Sequence, residues 1–222
     1  MTTKTILSVL VAAAVMTAGA PFAAAERIDL SVGPATRWMS SASVDPISDR
    51  DSSAFVSTVL GVRVAKVDAG PWVTAEVSYD HGGLSGDLFS SLDTRLSLDT
   101  VTAGLKISQP LFTAVSAFAR GGMGLAHGHL AMSSVARPDM SASDGDWGGT
   151  TFAAVGLEAR STTLVQVGFR AEVGYAKGQS LSFDAARERD DDDVLHIPTA
   201  GAAMGELDTD GVTLRFALVL AY

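Results

Sequence analysis

Eight charged residues stand on the polar face of segments in which apolar and polar residues alternate. They are Arg63, Glu76, Lys106, Arg120, Glu158, Arg170, Glu172 and Arg215. Inside a protein such charges must pair with each other or contact water, because an unpaired buried charge is expensive. We expect Arg63 to face Glu76 across a hairpin, and Glu172 to pair with Arg215 or Arg120. The pattern favours a structural plug of ion pairs, and a gate or narrow polar path is the alternative.

Two histidines, His127 and His129, are separated by one residue, which would place both imidazoles on one side of a strand. Such a pair could begin a zinc or copper site. The chain has no cysteine, and the sequence fixes no third ligand. The simpler interpretation is a pair of histidines at the entrance to a glycine-rich loop, so we predict no metal and no cofactor.

An acidic run of aspartates occupies positions 190–193, within the long interstrand segment Ala176–Gly211. Carboxylates suit hard cations, so a calcium site is one interpretation. The run lacks the glycine-punctuated order of a calcium-binding loop, and a solvated acidic loop is therefore preferred. The formal net charge of the whole chain is −9, which makes nucleic acid an unexpected partner.

Eight β-strands are predicted from strict alternation of apolar and polar residues. They cover about residues 27–38, 55–66, 72–80, 96–107, 111–127, 150–160, 164–175 and 212–222. In the fourth strand Leu96 and Leu98 are on the opposite phase from Val101, which predicts a bulge near Asp99–Thr100. Hydrophobic residues make up 47% of the chain, yet beyond the N-terminus no stretch approaches the about 18–20 apolar residues of a spanning helix. The apolar surface must then be buried by strands.

Connections between these strands alternate between short and long. The short turns are 68–71, 108–110 and 161–163, and the long loops are 39–54, 81–95, 128–149 and 176–211. The turns predict that Ile107 pairs with Leu111 and that Val64 pairs with Ala75. This layout predicts an all-β, eight-stranded antiparallel up-and-down transmembrane β-barrel with short periplasmic turns and long extracellular loops.

A soluble closed barrel would also alternate, but with its apolar face inward. Two features favour the membrane. The polar face is mostly Gly, Ala, Ser and Thr, which suits a cramped lumen better than a solvated surface. Aromatic residues also gather at strand ends, as interfacial girdles do; they are Trp38, Trp72, Tyr79, Trp147, Tyr175 and Tyr222.

Both ends of the chain carry export signals. Lys4 precedes the apolar core Ile6–Ala18, and Ala23, Ala24 and Ala25 supply the small residues of a cleavage site. We therefore predict a cleaved secretory signal peptide over residues 1–25 and a barrel domain over 26–222. At the other end the final strand alternates up to a terminal aromatic; the residues concerned are Leu214, Phe216, Leu218, Leu220 and Tyr222.

This final strand resembles the closing strand of the small bacterial outer-membrane β-barrel superfamily, which includes the OmpA-like transmembrane domain, the opacity-type proteins and the OmpW-like porins. The resemblance implies the outer membrane of a Gram-negative bacterium. It implies contact with outer-membrane lipid and lipopolysaccharide, and with the barrel-assembly machinery and periplasmic chaperones during biogenesis. The terminal strand would be the signal that the assembly machinery reads.

The function that we expect is a non-enzymatic envelope-structural or surface-interaction role. A narrow porin-like channel for small solutes is the first alternative, since fold does not choose among the family's functions. A lipid A-modifying enzyme is the second. The only neighbouring residues that could supply a nucleophile and a base for such an enzyme are His127, His129, Ser133 and Ser134. Their order does not match the deacylase motif, in which a His is followed two residues later by Ser and then Asn, so we predict no catalytic residue.

Overall fold

A computed structural model describes residues 27–39, 52–66, 70–88, 92–136, 141–163, 165–183 and 205–222. Its strands are β1 (Ile28–Met39), β2 (Ser52–Lys66), β3 (Trp72–Leu88), β4 (Leu92–Pro110), β5 (Val115–Ser134), β6 (Ser141–Arg160), β7 (Gln166–Gly178), β8 (Leu181–Phe183), β9 (Gly205–Leu207) and β10 (Gly211–Ala221). Eight of these close into a barrel in the order β1-β10-β7-β6-β5-β4-β3-β2, and β8 pairs with β9. The predicted fold class is confirmed. The signal-peptide segment 1–25 and the aspartate run 190–193 lie outside the described residues.

The barrel has its apolar surface on the outside. Along β10, Leu218 is 65% exposed and Leu220 is 49% exposed, whereas Val219 between them is fully buried and faces the lumen. The other barrel strands repeat this alternation, with buried Glu76, Lys106 or Arg170 on the inner phase. Within the described residues, no helix has the length and hydropathy that a membrane span requires.

Two of the segments that we predicted as loops, 81–95 and 128–149, are largely strand, so that prediction was wrong. The pairing of β3 with β4 continues to Leu88 opposite Leu92, and that of β5 with β6 continues to Ser133 opposite Ser141. The sequence misled because the phase of the apolar residues inverts there: Leu84, Leu96 and Leu130 point inward. We call the paired segments 83–88 with 92–97, and 128–134 with 141–146, the outer ribbons.

The prediction of a bulge near Asp99–Thr100 was wrong, because the same inversion accounts for the phase of Leu96 and Leu98 without one. β4 pairs with both neighbours in unbroken register past these residues, so Leu96 and Leu98 lie on the inner face together with Thr100. A register shift occurs instead on β2, between Arg63 and Ala65 at the short-turn end of the barrel.

Both predicted hairpin registers were wrong by an even number of residues, so each residue kept its face. Ile107 pairs with Ala119 rather than Leu111, because β4 runs to Pro110 and the turn occupies residues 111–114. Val64 is displaced by the bulge, and Ala75 pairs with Val62. Period-2 alternation determines a face but is satisfied equally by any shift of two residues.

Candidate functional site

The centre of the lumen is organised around Glu76, a buried residue of β3. Its carboxylate lies 3.2 Å from Lys106 Nζ, 3.0 Å from Arg120 Nη1 and 3.2 Å from Arg170 Nη2. These cations come from β4, β5 and β7, so one carboxylate joins strands from different sides of the barrel. The proximity of three cations compensates the cost of removing the carboxylate from water.

Toward the short-turn end, Glu158 and Asp29 continue the network. Glu158 accepts hydrogen bonds from Arg170 and Arg160, and it lies 3.6 Å from Lys106 Nζ. Arg160 also donates two hydrogen bonds to Asp29, of 2.8 and 2.7 Å, in the parallel geometry that makes arginine–carboxylate pairs strong. Since β1 and β6 are separated by β10 and β7, this pair spans the lumen.

The end of the barrel opposite the short turns is called the outer end. Toward this end, Glu172 lies 3.2 Å from both Arg120 and Arg215. The expectation that Glu172 contacts one of these arginines is confirmed, and it contacts both. Arg215 is held in addition by Asp80, with Nη2 2.9 Å from each carboxylate oxygen. We call these salt-bridged side chains the lumen network; they are Asp29, Glu76, Asp80, Lys106, Arg120, Glu158, Arg160, Arg170, Glu172 and Arg215.

The expected pairing of Arg63 with Glu76 was wrong. Arg63 lies opposite Thr74, closer to the short-turn end, and its guanidinium stacks 4.3 Å from the ring of Trp72. Trp72 is on the inner phase of β3 and lines a cavity at the turn end, so it is not part of an outward-facing girdle. The outward aromatic side chains include Trp38, Trp147 and Tyr175, each about half exposed, and Trp147 lies within β6 and not at its end.

The lumen network is buried, and the space on its outer side is tightly filled. The side chains of Lys106 and Arg170 are each only 1% exposed. The cavity on the outer side of the network, lined by Arg37, Asp80, Arg215 and their neighbours, has a volume of about 20 Å³, close to that of one water molecule. An eight-stranded barrel has an interior just wide enough for its own side chains, and here those side chains are paired ions.

An apolar cluster closes the outer end of the lumen above these charges. Its members come from β1, β2, the outer ribbons, the adjoining Leu98 of β4 and the β8–β9 hairpin: Ala35, Met39, Phe55, Leu84, Leu96, Leu98, Leu130, Leu181, Phe183 and Leu207. We call this cluster the apolar cap. Leu130, Leu181 and Leu207 have no exposed surface. Burying a side chain of this size stabilises by about 1.5–3 kcal/mol, so the cap anchors the β8–β9 hairpin.

Two glycines form the seat for Leu181. A Cβ on Gly128 would lie 2.6 Å from Leu181 Cδ1, and a Cβ on Gly148 would lie 3.0 Å from Leu181 Cδ2. Asp146 holds the hairpin from the side, because its carboxylate accepts hydrogen bonds from the backbone N–H groups of Trp147 and Ser182, at 2.7 and 2.8 Å. These two backbone donors lower the pKa of Asp146 below its ordinary value.

His127 and His129 project outward from β5, away from the lumen network. The ring of His127 packs against Trp147 with centroids 4.6 Å apart, and both imidazoles flank Gly145. Across the part of the chain that the structure describes, no group of three His, Cys, Asp or Glu residues has the geometry of a metal site. Ser133 is four residues from His129 along the same strand, a separation of about 13 Å, so these two cannot form a nucleophile–base pair.

Several inward charges were missed by the sequence analysis: Asp29, Arg37, Asp80 and Arg160. Asp29 and Arg37 are on the phase opposite to Ile28 and Leu30, so the alternation that identified the other lumen charges could have found them. Asp80 and Arg160 were placed at strand ends. The only signal of the apolar cap in the sequence was the inverted phase of Leu96 and Leu98.

The combination of an exposed apolar exterior with a lumen of buried ion pairs is decisive, because a soluble barrel has the opposite arrangement. The chain is a transmembrane β-barrel. It has the architecture of the small outer-membrane barrels that its final strand resembles. That strand directs Phe216, Leu218 and Leu220 to the exterior, and Tyr222 is 84% exposed beyond its end.

Comparison with solved structures finds Ail, the attachment invasion locus protein of Yersinia pestis, with a TM-score of 0.44 and 14% identity; the match covers 88% of this chain and 95% of that chain. The complex of Ail with the heparin analogue sucrose octasulfate matches with a TM-score of 0.42 and 14% identity, covering 88% and 96%. No protein-family model and no curated protein matches the sequence.

Proposed function

We propose that this protein is a non-conducting outer-membrane barrel whose outer ribbons serve an envelope-structural or surface-interaction role. The observation that carries the proposal is the filling of the lumen. The lumen network occupies the middle of the barrel, and the apolar cap closes its outer end. A solute would have to displace buried ion pairs and then cross a layer of packed leucines, and both steps cost several kcal/mol.

The outer ribbons are the part of the barrel suited to contacts outside the membrane. A tilted strand needs about 9–11 residues to span the bilayer, whereas β5 and β6 each have 20 residues. The surplus lies at the end away from the short turns. There the outer face carries His129 and Arg95, and Val135 at a ribbon tip is 59% exposed. Fixed, paired strands of this kind present a defined surface to a partner at little ordering cost.

The assignment of sides follows from the barrel family's layout. We infer that residues 1–25 are a cleaved signal peptide, that the chain is delivered to the barrel-assembly machinery by periplasmic chaperones, and that its final strand is the assembly signal. The short turns then face the periplasm and the ribbons face outward, among lipopolysaccharide headgroups.

Because the chain contains no cysteine, a single introduced cysteine can be labelled selectively to test this orientation. We expect Val135→Cys, at a ribbon tip, to react with a membrane-impermeant maleimide on intact cells. The matched variant Ser161→Cys, exposed in a short turn, should react only after the outer membrane is permeabilised. The opposite labelling pattern would overturn the assignment of sides.

Conductance tests the function itself. The purified barrel, its folding verified by heat-modifiable mobility, should give no single-channel steps in planar bilayers and no solute uptake in liposomes. A deletion strain should show impaired detergent resistance or surface adhesion, restored by the wild-type chain. Reproducible conductance from the wild-type protein would favour the narrow channel instead.

A further inference from the structure

A cavity of about 240 Å³ opens at the short-turn end of the barrel, beneath the lumen network. Its charged and aromatic lining includes Arg63, Trp72, Lys106 and Arg160, together with the carboxylates Asp29 and Glu158. We call it the mouth cavity. In contrast to the outer end of the lumen, no apolar cluster of the described residues covers it.

The carboxylates of the mouth cavity are already used by other cations. Asp29 receives two hydrogen bonds from Arg160 and lies 3.5 Å from Arg27 Nε and 3.7 Å from Lys106 Nζ. Glu158 is shared by Arg160, Arg170 and Lys106. Among the described residues around this mouth, therefore, the cations outnumber the carboxylates, although the whole chain has a net charge of −9.

Among the described residues that line the mouth cavity, Arg63 is the cation without a salt bridge. No carboxylate of the described residues forms an ion pair with it, and its buried Nε finds no hydrogen-bond acceptor among them. Burial lowers the stability of the charged form unless an anion approaches. The Arg63 guanidinium lies 4.3 Å from the centroid of the Trp72 ring, and Lys66 Nζ lies 4.9 Å from the same centroid. Arg63 is thus pre-oriented, so little side-chain entropy remains to be lost when a ligand binds.

Hydroxyl groups complete the lining: Thr74, Ser108, Thr113, Ser116, Ser161 and Thr162. A guanidinium with free donors, supported by hydroxyl donors in a partly desolvated cavity, is the arrangement that recognises carboxylate and phosphate oxygens. The volume accommodates a small molecule and not a polymer.

We propose that the mouth cavity binds a small oxyanion, a phosphate or carboxylate group of a small molecule, with Arg63 as its principal ligand. The oxyanion supplies a counter-ion for Arg63 and accepts hydrogen bonds from Arg63 and the lining hydroxyls. Under the orientation proposed above, this ligand comes from the periplasm. Binding to the isolated barrel does not depend on that orientation.

Tryptophan fluorescence gives a direct test, because Trp72 touches Arg63. In a Trp38→Phe/Trp147→Phe background, Trp72 is the single remaining tryptophan. Inorganic phosphate and succinate are titrated separately into the refolded barrel in micelles, at constant ionic strength set with chloride, so that general screening is held fixed. We expect a saturable change for at least one of the two anions, and the stronger response identifies phosphate or dicarboxylate as the preferred chemistry.

Arg63→Gln supplies the decisive comparison. It should weaken binding at least tenfold, and Arg63→Lys, which keeps the charge but loses the fork, should weaken it less. Because Arg63→Gln also alters the reporter's surroundings, phosphate binding is measured independently by ³¹P line broadening. Arg95→Gln is the matched control, since that side chain is 76% exposed at the opposite end of the barrel. It should bind as the wild type does.

A linear response, an equal response to chloride, or unchanged binding by Arg63→Gln would overturn the proposal. These outcomes are distinct from failure of the proposed function. Conductance by a barrel that binds the anion contradicts only the closed lumen, and a silent barrel that binds no anion contradicts only the mouth cavity.

Discussion

Arg215 and Asp80 form an ion pair across the lumen, with Arg215 Nη2 2.9 Å from both oxygens of Asp80, although β1 and β2 separate their strands. Asp29 and Arg160 are related in the same way near the other end. Each pair links strands that share no backbone hydrogen bonds. The interior therefore connects opposite walls of the barrel, and the backbone ladders connect only neighbours.

Neutralising a shared carboxylate of the lumen network should be costly. Glu172→Ala leaves Arg120 and Arg215 facing each other without their common counter-ion. In a dry site this should reduce the free energy of unfolding by about 3–5 kcal/mol, measured by reversible urea unfolding in liposomes. Glu206→Ala, at an exposed carboxylate of β9, is the control and should change it by less than about 0.5 kcal/mol. If Glu172→Ala reduced the free energy of unfolding as little as the control does, water would have to fill the lumen.

The cross-lumen pair can be replaced by apolar residues. Asp80→Leu alone should be strongly destabilising, because Arg215 then retains only Glu172. The double variant Asp80→Leu/Arg215→Met should recover at least half of the lost free energy of unfolding, since the guanidinium that loses its counter-ion is removed together with it. Additive losses in the double-mutant cycle would contradict direct coupling of the two side chains.

Neighbouring positions of β10 should respond differently to the surrounding medium. Leu218 is 65% exposed to the membrane side, and Leu218→Arg should cost about 2–4 kcal/mol in a bilayer. The cost should fall sharply in detergent micelles, which let the arginine reach water. Val219 is fully buried in the lumen, so Val219→Arg should be destabilising in both media. Equal behaviour of the two variants would contradict the inside–outside assignment.

The seat of Leu181 can be filled by substitution. Gly128→Val places side-chain atoms where Leu181 Cδ1 lies, which should displace the β8–β9 hairpin while leaving the barrel folded. The amide of Ser182 should then exchange its hydrogen at least tenfold faster. Gly145→Ala, whose added Cβ meets only imidazole atoms and one carbonyl at 3.2 Å or more, is the control and should leave this exchange unchanged.

Attachment of the hairpin should also depend on pH through Asp146. The backbone N–H groups of Ser182 and Trp147 lower the pKa of Asp146 below 3.8, so its stabilising effect is complete above that pH. It is lost as the pH falls through the lowered folded-state pKa. The amide NMR signals of Ser182 and Trp147 should therefore shift with a midpoint below 3.8. Asp146→Asn should abolish this titration, and a midpoint above 3.8 would contradict the hydrogen-bond assignment.

Substitution of the terminal aromatic residue Tyr222 should separate an effect on assembly in the cell from an effect on the stability of the barrel. The backbone of Tyr222 exchanges two hydrogen bonds with Ile28, of 2.9 and 3.0 Å, while its ring is 84% exposed. Tyr222→Ala keeps the hydrogen bonds and removes the ring. We expect refolding in vitro close to wild type but a reduced yield of heat-modifiable protein in the outer membrane. Normal yield would argue against the ring as an assembly signal.

Much of the barrel was accessible from alternation alone. The fold class, the eight strands and the facing of most lumen charges follow from period 2, because successive side chains of a strand must point to opposite sides. The register of the strand pairs could not be predicted from alternation. Ile107 keeps its face whether it pairs with Leu111 or with Ala119, and the pattern does not distinguish the two pairings.

Contacts across the lumen were decided only by the tertiary structure. Alternation placed Glu76 inside, but its partners Lys106, Arg120 and Arg170 are brought to it by closure of the barrel, which depends on the stagger of all eight strands. Among the described residues, the same closure brings no carboxylate into a salt bridge with Arg63. Beyond the membrane, the phase of Leu96 and Leu98 is explained by the β8–β9 hairpin that covers them. The sequence by itself determined that most of the lumen charges face inward, and three-dimensional closure determined which of them meet, since pairing energies act over a few ångströms between residues far apart in the chain.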